Sequence, residues 1–197
     1  IIATAIATGL GTMAALGLSR PHMPYKALIM SILISPMIVP LIITAAGMFF
    51  FYARINLVYT FTGVILAHVA LATPFVVITV TATLVGFDMN MVKASQSLGA
   101  KPLRTFFKVI MPLILPGIIS GALFAFITSF DEVVIVMFMA SIDQLTIPKQ
   151  MWAGIRQEIS PVILCMATCL VILSIVLLTT VELLRRRAER LRGIKAR

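Results

Sequence analysis

Five long apolar stretches leave this 197-residue chain few ways to fold. They run approximately over Ile1–Leu18, Ala27–Tyr52, Val58–Val85, Leu113–Ala140 and Pro161–Leu184. A helix crossing the ~30 Å hydrocarbon layer needs about 20 mostly apolar residues, because no backbone polar group can go unpaired in lipid. None of the stretches alternates apolar and polar residues as a barrel strand would, and each is apolar all round. With 60% hydrophobic and only 12% charged residues, the chain has too little polar surface to cover a water-facing globule. Two cysteines, Cys165 and Cys169, are too few for a disulfide scaffold. The net charge of +9 does not indicate nucleic-acid binding, since the basic residues lie between apolar runs rather than on one solvated face. The expected fold class is all-α integral membrane, in one transmembrane domain over residues 1–197.

Lys and Arg accumulate on the cytoplasmic side of membrane proteins, so their distribution predicts orientation. One set of connections holds thirteen: Arg20, Lys26, Lys93, Lys101, Arg104, Lys108, Arg185, Arg186, Arg187, Arg190, Arg192, Lys195 and Arg197. The other holds Arg54, Lys149 and Arg156. The C-terminus, the Arg20–Lys26 turn and the 86–112 loop are therefore expected inside, and the 141–160 loop outside. Residues 1–18 lack the basic leader of a signal peptide. Because the chain opens on Ile1 in mid-hydrophobic sequence, at least one preceding helix is expected.

The 86–112 loop reads as two short helices meeting at a bend. Asp88 or Asn90 can cap a first helix near Met91–Leu98. Gly99 sits where a left-handed C-terminal residue is wanted, and Pro102 suits the first turn of the next helix. There Leu103, Phe106, Phe107 and Ile110 form an apolar stripe, while Lys101, Arg104 and Lys108 face elsewhere. On residues alone this is either an interfacial amphipathic helix or a compact knob offered to a cytoplasmic partner.

Lys93-Ala94-Ser95, Gly99 four residues on, and Val109-Ile110-Met111-Pro112 resemble the E-A-A-x-x-x-G-x(9)-I-x-L-P signature of binding-protein-dependent ABC importer permeases. The spacing from Ala94 through Gly99 to Pro112 fits without a gap, about a hundred residues from the C-terminus. Lys93 stands where that family has an acid, and Ser95 where it has a second alanine. Ser129-Phe130-Asp131-Glu132-Val133-Val134, the Thr146-Ile147-Pro148 turn with Met151-Trp152 and Ile155-Arg156, Ser35-Pro36 with Pro40, and the Glu182…Arg187 end resemble the spermidine/putrescine-type branch. The resemblance implies a type I importer permease-like bundle in a bacterial inner membrane. It also implies three protein partners: an ATP-binding cassette ATPase carrying the ATP–Mg, a second permease subunit and a periplasmic solute-binding protein. By the same resemblance Lys93, Ala94, Ser95, Gly99, Ala100 and Pro112 belong to the segment that couples to the ATPase.

Other residues are read from the sequence directly. Asp131 and Glu132 fall inside the fourth stretch, where a charge at mid-membrane costs roughly 2.5–3.5 kcal/mol and must face a cavity or partner. Rising about 1.5 Å per residue from Gly117, Asp131 would stand roughly 21 Å up, in the outer half. The two acids either attract a cation entering from outside or sit at a local break, capping it or pairing with Lys149 or Arg156. Gly117 and Gly121, continued by Ala125, form a small-residue stripe that lets another helix approach closely, from this chain or from a second permease. Pro36, Pro40 and Pro74 each remove a helix hydrogen bond and kink their spans. His68, with Thr73 on the same broad face, reads as a hydrogen-bonded packing residue. Cys165 and Cys169 read as small filler, and no further ligands stand near them for a metal. Trp152 is a membrane-interface anchor or a docking contact. No G-x-x-x-x-G-K-[ST] loop, nucleophilic triad or H-E-x-x-H helix occurs, so no ATP hydrolysis by the P-loop route is expected of this chain. The expected function is a permease subunit passing a small cation or polyamine. The alternatives are a proton-coupled secondary transporter using Asp131, Glu132 and His68, or a non-transporting membrane anchor subunit.

Overall fold

A computed structural model of the chain describes residues 1–20, 23–85, 87, 88, 90–157 and 161–191. All regular structure among them is helical. In chain order these are α1 (Ile2–Leu18), α2 (Lys26–Ile38), α3 (Leu41–Arg54), α4 (Phe61–Val85), α5 (Asn90–Ser97), α6 (Pro102–Thr105), a π-helical turn (Phe106–Ile110), α7 (Met111–Phe130), α8 (Val134–Met139), α9 (Ile147–Gln157) and α10 (Pro161–Leu191). Of the basic tail, Arg192, Lys195 and Arg197 lie outside the described residues.

Three of these rods are long and apolar enough to cross a bilayer: Phe61–Val85, the continuous Pro102–Phe130, and Pro161–Thr180 within α10. The 17 residues of α1 are shorter, about 25 Å at 1.5 Å per residue. The second stretch, expected as one kinked span, is instead two helices bent by 106°. Backbone chemistry explains the break. Val39, preceding a proline, is extended at φ −71° and ψ 135°, and Pro40 has no N–H to continue the ladder. Pro36 breaks nothing. It sits inside α2, and the Ser35 hydroxyl donates at 2.8 Å to the Ile32 carbonyl that Pro36 cannot serve.

The fourth stretch is also corrected. Expected as one helix through Ala140, it stops at Phe130, and Asp131 is its C-cap. A three-residue break then leads to α8. At its other end α7 continues from α6 through the π turn, where the Met111 N–H reaches back five residues to the Phe106 carbonyl. The wider turn comes just before Pro112, whose ring would crowd the carbonyl four residues back in a regular helix.

The core is three helices deep. Ala3, Ala7 and Ala15 of α1, Val69, Ala72, Val76 and Val80 of α4, and Ile114 and Ala125 of α7 pack as one buried cluster. Lipid is as apolar as these side chains, so close fit rather than hydrophobic transfer holds them together. The Gly117–Gly121 stripe meets α4 of the same chain, not a second subunit. A Cβ on Gly117 would collide with the Thr83 hydroxyl, and one on Gly121 would come within 2.5 Å of Thr79 Oγ1 and 2.9 Å of Val76 Cα. Thr79 and Thr83 can line that seam because their hydroxyls donate back to their own helix, at 2.9 Å to the carbonyls of Phe75 and Thr79. A second cluster joins Ala45 of α3, Ala67 and Leu71 of α4, and Ile135 and Met139 of α8. By contrast, no part of the apolar window of α10 is buried, and Cys165 and Cys169 are exposed on it rather than packed as filler.

Candidate functional site

Two places bring the sequence-selected residues together. The first is the bend between α5 and α6. Asp88 Oδ1 accepts the Asn90 N–H at 2.9 Å and so opens α5. Gly99 closes it with φ +78°, the left-handed region that favours glycine. The Ala100 N–H returns to the Ser95 carbonyl at 3.1 Å and the Gly99 N–H to the Gln96 carbonyl at 2.9 Å. These six-to-one and five-to-two bonds make a complete Schellman cap. Pro102 then starts α6, as its spacing from Gly99 predicted.

The Ser95 hydroxyl, one turn before the bend, hydrogen-bonds the Thr105 hydroxyl at 2.9 Å. Thr105 is 2% exposed and pins the first turn of the second helix to the last turn of the first. The sequence reading passed over Thr105, because nothing local distinguishes one threonine in a basic-apolar stretch. The knob exposes Lys93, Ala94, Lys101 and Arg104, together with Leu98 (88%), Leu103 (74%) and Phe107 (60%). The expected apolar stripe is therefore divided. Ile110 packs against the three-helix core, while Leu103 and Phe107 face outward. Pro112 lies a turn beyond, at the start of α7.

The second place is a cavity of about 660 Å³ where the two broken helices meet. One wall is the 36–41 segment around the α2–α3 break, and the other is Thr128 and residues 131–134 around the α7–α8 break, with Leu71 and Phe75 of α4 between them. Irregular backbone at membrane depth survives only where it lines a cavity or is covered by protein, and both breaks satisfy that here. The neighbouring acids part company. Glu132 is 6% exposed, and its carboxylate accepts the N–H groups of Ile135 at 2.9 Å and Val136 at 3.2 Å, capping α8. Asp131 is exposed and lines the cavity at the partially negative C-terminal end of α7. It also lines a smaller cavity of about 230 Å³ against α10, beside the stacked Phe126 and Phe130 rings 5.4 Å apart.

Of the two basic residues offered as alternative partners for the acids, Lys149 instead donates from Nζ to the Ala140 and Ser141 carbonyls at 3.5 and 3.4 Å, and the Arg156 side chain lies outside the described residues. His68 is buried and hydrogen-bonded, as expected. Its Nδ1 lies 3.0 Å from Ser129 Oγ, tying α4 to the turn of α7 just before Asp131. The Thr73 hydroxyl is occupied by the Val69 carbonyl at 2.6 Å. The cavity wall at Val39 was missed as a site residue, although Val-Pro at positions 39 and 40 carried the signal for a break.

The profile of the family described as "Binding-protein-dependent transport system inner membrane component" matches residues 7–190. The spermidine/putrescine transport system permease protein PotC of Haemophilus influenzae is 29% identical over 185 residues, covering 94% of this chain and 72% of that one. The putrescine transport system permease protein PotI of Escherichia coli is 37% identical over 103 residues, 52% of this chain and 37% of that one. Among solved structures, an inward-facing MetNI methionine ABC transporter superposes with a TM-score of 0.74 at 18% identity, covering 95% of this chain and 89% of that one.

Proposed function

Because the chain belongs to the family of binding-protein-dependent transport system inner membrane components, a family of importer permease subunits rather than enzymes, we propose that it passes polyamines across a bacterial inner membrane. The observation that carries the substrate class is the cavity between the two helix breaks, into which Asp131 presents an exposed carboxylate. A flexible polycation shedding water at membrane depth needs a fixed negative charge and a polar wall; Asp131 and the unwound backbone of the two breaks offer both. The names of the permeases it resembles support the same class.

The chain works as one part of an assembly. A periplasmic binding protein delivers the solute, a second permease subunit completes the pathway, and a separate ATPase binds ATP–Mg. The knob around Gly99 rides on that ATPase, so closure of the ATPase on nucleotide moves α5 and α6, and the rod continuous with α6 carries the movement to the break at Asp131. Lys93, Ala94, Ser95, Gly99, Ala100 and Pro112 form this coupling segment. A proton-coupled carrier is not favoured, because His68 and Glu132 are engaged by Ser129 and by the α8 backbone.

The test is ATP-dependent uptake by the complete complex in proteoliposomes, using labelled spermidine and putrescine with amino acids as competitors. Uptake of a polyamine that the other polyamine competes and amino acids do not is the expected result. ATP-driven uptake of amino acids with none of polyamines overturns it.

A further inference from the structure

Resting on the coupling role just proposed, we infer that the ATPase surface receiving this knob is acidic, an apolar floor rimmed by carboxylates that face Lys93, Lys101 and Arg104. The knob is a preformed shape. The Schellman cap at Gly99 and the Ser95–Thr105 hydrogen bond fix the two helices against each other before any partner arrives. What that shape presents is lopsided in charge. Lys93, Lys101, Arg104 and Lys108 are all exposed, and no ion pair involves any of them among the described residues. From residue 86 to residue 130 the sequence holds a single acid, Asp88, whose carboxylate already accepts the Asn90 N–H. No carboxylate of the 86–130 segment is left to complement these four cations, which stand open to another molecule.

Two kinds of surface supply negative charge, anionic lipid headgroups and a protein groove, and the arrangement favours the groove. A helix lying on a membrane sets its basic face opposite its apolar one. Here the apolar stripe is divided: Ile110 packs inward, and the exposed Leu103 and Phe107 stand about 100° round the helix from Arg104 and Lys108 rather than opposite them. Leu98, 88% exposed, projects at the tip of the bend between Lys93 and Lys101. An apolar anchor flanked by charges is the composition of a protein interface core with its rim. Charged rims set partner choice and association rate more than raw affinity. With Lys93, Lys101 and Arg104 exposed around the apolar residues, the knob favours an ATPase whose rim carries the opposite sign.

The experiment compares binding of the cognate ATPase to the permease complex in detergent, and coupled ATP hydrolysis, for the wild type, Lys93→Glu with Arg104→Glu, Leu103→Ala and Gly99→Leu. Raising salt from about 0.05 to about 0.5 M is expected to weaken wild-type binding roughly tenfold. The double reversal is expected to weaken it by a similar factor, roughly tenfold, at low salt, with Lys substitutions at groove carboxylates of the ATPase restoring binding. If the double reversal binds and couples like the wild type while Leu103→Ala fails, the acidic rim is overturned and the coupling role stands. If the reversal acts only in phosphatidylglycerol vesicles and not in detergent, the cations serve the membrane and the inference is again overturned. If Leu103→Ala and Gly99→Leu also bind and couple normally, the coupling role itself falls.

Discussion

Asp131 and Glu132 show how two adjacent acids acquire different work from one break in a helix. Glu132 satisfies two N–H groups that open α8, so its removal leaves buried donors unpaired, at a cost of about 1–3 kcal/mol. Glu132→Ala is therefore expected to lower the melting temperature and the yield of folded permease in detergent, with Glu132→Gln retaining much of both. Asp131 accepts no comparable structural hydrogen bond and faces the cavity. Asp131→Asn is expected to leave melting and assembly unchanged and to reduce uptake at low polyamine concentration about tenfold, roughly the worth of one desolvated charge contact. Equal loss of stability in both variants would show that Asp131 is structural too. The sequence announced that these acids need a cavity or a cap. It did not say which acid takes which, because that depends on where α7 stops, and an uninterrupted apolar run from Val133 to Ala140 conceals the stop.

At the scale of elements, local chemistry was legible wherever it is enforced by a single residue. The bend at Gly99 followed from glycine and the proline three residues later, and the structure puts Gly99 at φ +78° with nothing within 4 Å of a Cβ placed there. Crowding is thus not what excludes a side chain; conformation is, at about 1–2 kcal/mol for an L residue held left-handed. Gly99→Leu should keep the protein in the membrane and assembled while ATP hydrolysis loses its dependence on solute-loaded binding protein. Coupled uptake at the wild-type rate in that variant would remove the bend from the mechanism.

Gly121 tests the opposite kind of glycine. Its φ is ordinary, but Thr79 and Val76 occupy the space of a side chain. Gly121→Val is expected to push α7 off α4 and cost about 1–3 kcal/mol as overpacking, read as earlier heat-induced aggregation of the purified complex. The stripe itself was visible from spacing. Its partner was not, because a row of small residues says only that something comes close, and α4 advertises its half of the seam with threonines that look polar until their hydroxyls are seen bonded to their own helix. The α2–α3 break lay between these cases. Three prolines suggested three kinks, yet only Pro40, preceded by an extended Val39, separates two helices. Pro36 and Pro74 stay inside theirs.

For the whole molecule, orientation is the property that residue counts predict and that local geometry can only make consistent. The Tyr59 N–H donates to the Met139 carbonyl at 2.9 Å, and Gln144 Nε2 to the Tyr59 carbonyl at 3.2 Å. Those bonds tie the turn after Arg54 to the loop that leads to Lys149, placing two of the three basic residues expected outside at one end of the bundle. The knob with Lys93, Lys101, Arg104 and Lys108 follows α4 at the other end of that 25-residue helix, about 37 Å away along its axis. Basic residues thus segregate by end as well as by count, and the richer end should be cytoplasmic. Single cysteines at Lys101 and at the exposed Asp143, in a chain with Cys165 and Cys169 replaced by alanine, test this directly. A membrane-impermeant maleimide should label Asp143→Cys in spheroplasts and Lys101→Cys in inverted vesicles. The reverse pattern would put the knob on the side without ATP, and a bend there has no nucleotide-driven partner to follow.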